Sequence, residues 1–164
     1  MKCRIRHLVL GSLALGVTAC NGAGPVSNNG DGSPTAPVVA GGLACILSAP
    51  TSVRLAEPVV PVGFTLRNDD GAAITVLKRQ TPLEGFLGDL FEVTLEGRRV
   101  EYRGRMVKRG PPTAVEFVTV NTGSHVHATV DLVEGYDLSQ PGRYRVRFPR
   151  HDEFACNELT IERT

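Results

Sequence analysis

RYRVRF, residues 143–148, alternates without a break. Tyr144, Val146 and Phe148 fall on one side, and Arg143, Arg145 and Arg147 on the other. Successive side chains of a strand point to opposite faces, so this pattern predicts a strand with one buried and one wet face. The same period runs outward from it. VGFTLRN (62–68) sets Val62, Phe64 and Leu66 on one face before RNDDG turns the chain. SVRLA (52–56), AITVLK (73–78), DLFEVTL (89–95) and ELTIE (158–162) repeat the alternation. EGRRVEY (96–102) holds a Glu-Gly turn and a short polar strand. EFVTV (116–120), the NTG turn and HVHATVDL (125–132) read as a hairpin. Short period-two segments separated by turn residues predict an all-β, immunoglobulin- or fibronectin-like antiparallel β-sandwich of about seven to nine strands. VEGYDLSQPG (133–142) is expected to form one short turn, with Tyr136 reaching a backbone group in the manner of a tyrosine corner. The chain has no Trp, which excludes the Cys–Trp–Cys core of antibody domains.

The first residues are unlike this body. Lys2, Arg4 and Arg6 precede an apolar run, LVLGSLALGV, that is too short to cross a bilayer and has the build of a secretory signal. VTAC (17–20) resembles a bacterial lipobox, which implies cleavage before Cys20 and lipidation of that cysteine. Residues 1–19 are therefore read as a lipoprotein signal. Residues 20–42, rich in Gly, Pro, Ser and Asn, are read as a lipidated flexible tether, and 43–164 as the β domain. Asn21, rather than Asp, after the cysteine points to the outer membrane of a bacterial cell envelope. The whole chain carries a net +1, and loss of Lys2, Arg4 and Arg6 with the signal leaves −2. That balance argues against nucleic acid as a partner.

Four cysteines are present. Cys3 goes with the signal and Cys20 with the lipid, leaving Cys45 and Cys156 near the two ends of the domain. In an oxidising compartment this pair is expected to form a disulfide. Closing so long a loop stabilises by roughly 4–5 kcal/mol in the chain-entropy view.

MVKRGPPT (106–113) carries two cations beside a glycine and two prolines. Proline lacks an N–H and fixes φ, so the stretch is a stiff exposed loop and not an inner strand. TPLEG (81–85), DLFEV (89–93), GRMVKRGPPT (104–113) and YDLSQPGRYRV (136–146) occur in this order. Together they resemble the N-terminal pro-region of bacterial deuterolysin-like metalloendopeptidases, the aspzincins that include peptidyl-lysine endopeptidases. The resemblance implies a zinc metalloendopeptidase as partner. It also implies a lysine on the stiff loop occupying a lysine-accepting acidic cleft. Lys108 is the first choice for that contact, Arg109 the second and Lys78 the third.

The catalytic part of such a protease is not visible. HExxH supplies two zinc ligands one helical turn apart and a glutamate base. The four histidines, His7, His125, His127 and His151, lie in no such motif. No paired carboxylates or nucleophile–base set accompanies Glu84, which is read as a loop residue bonded to backbone or to an arginine. His125 and His127 share a strand face with Asp131 but have no fourth ligand in sequence, and a solvated face is the preferred reading. The expectation is a non-enzyme with no cofactor, no metal and no small-molecule substrate, binding a protease in trans to inhibit it or assist its folding. The alternative is a structural or adhesive module of the envelope with no protease partner.

Overall fold

The structure is a computed structural model that describes residues 38–40, 42–149 and 154–164. The signal, Cys20, His7, His151 and most of the tether lie outside the described residues. The fold class is all-β, as the alternation predicts. Four strands make one antiparallel sheet: β1 (Val38–Ala40), β2 (Leu43–Ser48), β4 (Pro61–Asn68) and β9 (His125–Asp131), in the order β1-β2-β4-β9. A second sheet has the order β3-β11-β10-β6-β7. Its strands are β3 (Ser52–Val53), β11 (Leu159–Arg163), β10 (Gly142–Arg147), β6 (Glu92–Leu95) and β7 (Arg98–Arg99). β3 runs parallel to β11, and an isolated parallel bridge joins Cys45 and Cys156; the other described pairings are antiparallel. A separate two-stranded ribbon joins β5 (Ile74–Leu77) and β8 (Phe117–Val120).

Both larger sheets contribute to one core. Val62, Phe64 and Leu66 of β4 are fully buried, as are Tyr144 and Val146 of β10 and Ile161 of β11 to within 1%. Phe148 bridges the layers, with its ring 5.4 Å from Phe64 and 5.9 Å from Phe91. The alternation in RYRVRF thus does what its pattern requires: apolar positions pack inward, while Arg143, Arg145 and Arg147 remain exposed. The Glu-Gly turn of the β6–β7 hairpin has φ of 47° at Glu96 and 83° at Gly97. Positive φ at both central residues matches the right-handed strand twist, which is why a glycine stands there.

Cys45 and Cys156 form the disulfide, linking positions 111 residues apart. Asn157, 4% exposed, continues the junction. Its side-chain oxygen accepts from Leu47 N–H at 2.7 Å and its amide donates to Leu47 C=O at 3.0 Å. The side-chain amide thereby satisfies two backbone groups on the edge of β2, where β1 no longer reaches.

Three features differ from the sequence reading. β1 falls inside residues 20–42, so Val38–Ala40 pair with β2 and belong to the sheet. Among the described residues the strands number eleven, because β1 and the two-residue pieces β3 and β7 add to the long alternating segments. The third difference is a correction: β8 and β9 do not form a hairpin. β8 pairs with β5, and β9 pairs with β4. The physical reason sits at Asn68, which is fully buried at the end of β4. Its side-chain amide donates to Ala72 C=O and Val120 C=O, each at 2.8 Å, and its Oδ1 accepts from Asp70 N–H at 2.9 Å. Its backbone bonds Gly123 and Ser124. The 121–124 turn is therefore fastened to β4, and the chain passes from ribbon to sheet instead of folding back.

Candidate functional site

The GRMVKRGPPT stretch is a loop, as its prolines require, and each of residues 105–115 is exposed taken as a whole. Met106 is 76% exposed and Val107 is 47% exposed. Lys108 is exposed and has no ion pair or side-chain hydrogen bond among the described residues. Arg109 is different. Its Nη2 lies 2.8 Å from Glu84 Oε2 and its Nη1 lies 3.3 Å from Glu116 Oε1. Arg79 completes the cluster, with Nη2 2.8 Å from Glu116 Oε2 and Nη1 donating to Gly110 C=O at 2.8 Å. Two cations thus alternate with two carboxylates, and all four side chains are only 14–23% exposed.

Local sequence positions each member. Thr81, 1% exposed, accepts from Leu83 N–H and donates to Lys78 C=O. Pro82 follows in the first position of the short 3-10 turn Pro82–Glu84, where a missing N–H costs nothing. Gly85 ends that turn at φ 80°. Glu84 is thereby aimed at the loop, in agreement with its reading as a loop residue paired to an arginine. Its Oε2 meets Arg109 as an ion pair without a directed hydrogen bond. On the other side, the turn Ala114–Glu116 begins after Thr113. The Glu116 carboxylate accepts from the Thr113 N–H at 2.7 Å and from its hydroxyl at 3.2 Å. That bond to the Thr113 backbone, aided by Arg79, holds the Glu116 carboxyl below the usual glutamate range.

Of the three cations singled out in the sequence, Arg109 is paired within the cluster, while Lys108 and Lys78 have no ion pair among the described residues. Lys78 is half-buried at the start of the 3-10 turn Lys78–Gln80. The sequence reading missed Arg79 and Glu116 as partners of the loop. The Thr113–Glu116 spacing was the available signal, since Ser or Thr followed three residues later by Glu marks a turn that closes on itself.

A second aromatic cluster supports the strand that precedes the loop. Phe86 and Tyr136 flank Tyr102, whose hydroxyl donates to Arg105 C=O at 2.7 Å. The Tyr136 hydroxyl lies 2.5 Å from both Phe91 C=O and Asp89 Oδ1, and accepts from Phe91 N–H at 3.1 Å. Tyr136 does reach a backbone group, as expected, but one 45 residues away on another segment. Burial and the Asp89 bond push its phenol well above the ordinary tyrosine range.

No group of three or more His, Cys, Asp or Glu is placed to hold a metal among the described residues. His127 spends both ring nitrogens on Thr65 and Thr129 hydroxyls, at 2.9 and 3.1 Å. Asp131 accepts from Val60 and Val133 N–H groups. A cavity of about 440 Å³ is floored by Arg163 and walled by Leu55, Pro58 and Leu138, and it shares no residue with the charged loop cluster. The Arg163 guanidinium is already occupied by the carbonyls of Arg54 and Leu138.

No known family model matches the chain. Over 122 residues, 71% of the chain, it is 30% identical to an extracellular protease of Aeromonas hydrophila. The chain is similar to part of a protease. It spans about a third of that protein's length, 35%. The matched region and the resemblance drawn from TPLEG, GRMVKRGPPT and YDLSQPGRYRV thus point to the same broad class, a protease-related segment.

Proposed function

We propose that this domain is a non-catalytic relative of a metalloendopeptidase pro-region, which binds a zinc protease in trans and inhibits it or assists its folding. One observation carries the reading: the similarity to an extracellular protease extends through most of this chain but only about a third of the protease. The missing HExxH motif supports it from the sequence side. The contact is the 104–113 loop, with Lys108 as the projecting residue and an immunoglobulin-like sandwich as its support. The charged cluster lowers the ordering cost of binding by holding the loop before it meets a partner. Cys20 carries the lipid, so the domain works at the bacterial envelope, on the outer membrane.

The test is a titration of residues 21–164 against a lysine-directed aspzincin, following cleavage of a lysyl substrate and, separately, recovery of the protease from denaturant. Slowed cleavage or faster recovery is expected, and Lys108→Ala should weaken either effect at least tenfold, about 1.4 kcal/mol of binding. No effect on either reaction would leave a structural envelope module as the better reading.

A further inference from the structure

We propose that the Arg79–Glu116–Arg109–Glu84 network is an acid-opened latch on the 104–113 loop, in which Arg109 is a positioning residue. The network joins three segments: the turn Lys78–Gln80, the turn Pro82–Glu84, and the loop with its closing turn Ala114–Glu116. Its four side chains are mostly covered, where charge pairs interact more strongly than in open water. The loop has little else to hold it. Val107 N–H reaches Leu87 C=O at 3.3 Å, and Tyr102 bonds Arg105 C=O, but Pro111 and Pro112 have no N–H to offer. No residue of 105–113 is buried.

Protonating Glu116 removes the anion that Arg79 and Arg109 share and leaves them as neighbouring, mostly covered cations. The attraction that joined the two arginines through Glu116 becomes repulsion between them. The pH window follows from the direction of the Glu116 shift. A carboxyl held below its usual range contributes stability above the unfolded pKa and loses it as pH falls through the lowered value. The latch is therefore closed at neutral pH and opens only in acid, below the ordinary glutamate range. Other charged groups on the loop and on elements packed against the network include Lys78, Lys108 and, on β9, which packs against the Pro82–Glu84 turn, His125, His127 and Asp131. None of these five pairs with the network among the described residues. This device stands whether or not the loop meets a protease.

Backbone NMR relaxation on the full chain, from neutral pH to pH about 3, tests it. Residues 105–113 should lose order only below the ordinary glutamate range, while the β4–β9 ladder keeps its signals. Glu84→Gln with Glu116→Gln should show the released loop at neutral pH and no further change on acidification. Arg109→Gln, which removes only two ion pairs, should release it as well and decides the matter if the double variant does not fold. A loop that stays ordered in acid, or in Arg109→Gln, would overturn the latch. So would a transition near pH 6.5, which belongs to histidine, or loss of loop order only together with the core.

Discussion

Tyr136 does two jobs with one side chain. Its ring packs within 6.0 Å of Phe86 and 5.4 Å of Tyr102, and its hydroxyl ties Phe91 and Asp89 to the other side of the core. Tyr136→Phe keeps the ring and leaves the buried Phe91 N–H without that partner. A loss of about 1–3 kcal/mol in a urea denaturation curve is expected. Gly135, next to it, is a case where space decides the residue. A Cβ there would sit 2.9 Å from Phe86 and from Tyr102 ring atoms. Gly135→Ala should lower the melting temperature by displacing the aromatic cluster, and an unchanged melting temperature would show that the rings can give way. The bonding of Tyr136 was legible in the sequence only as a tendency. Nothing in YDLSQPG names Phe91, because the two meet only when distant segments are folded together.

At the scale of elements, the ribbon of β5 and β8 is the informative case. Each strand has four residues, too few to persist without support. Asn68 supplies support by bonding Val120 C=O and the 121–124 turn. Asn68→Ala should leave one buried and two part-buried backbone groups without their bonds, at a cost of about 2–3 kcal/mol. Amide exchange should then speed up first in β5 and β8, with the β10–β11 ladder less affected. The expected β8–β9 hairpin rested on an NTG turn between two alternating runs. That signal is local, and the competing signal, a buried asparagine more than fifty residues upstream, is not. Strand existence and facing were readable for the opposite reason: alternation follows from the backbone of each segment alone.

For the molecule as a whole, the disulfide and the tyrosines set the conditions under which it stays folded. Replacing Cys45 and Cys156 by Ala frees a span of 111 residues in the unfolded chain. Stability should fall by about 2–5 kcal/mol, measured by denaturant titration under oxidising conditions. All three tyrosines have phenols pushed above their ordinary range, by burial first in each case. A phenol whose folded pKa is raised keeps its proton in the fold while the unfolded chain loses it. Stability should therefore decline as pH rises beyond about 10. Tyrosinate absorbance and circular dichroism should change together in alkali. Titration of the phenols at their ordinary pKa with the fold intact would contradict their burial.

The amino-acid sequence by itself determined the all-β class, the inward faces of the long strands, the Cys45–Cys156 pair and the stiffness of the proline loop. Each depends on residue type and local spacing, or on the simple count of available cysteines. Only the tertiary structure decided which strand β8 joins and which cations of the loop are free. Arg109 and Lys108 are adjacent and equally charged in the sequence. One is held between Glu84 and Glu116 and the other projects, because those carboxylates are brought to the loop by two separate turns. Ion pairing is set by distances of a few ångströms between segments far apart in the chain, and no local pattern encodes those distances.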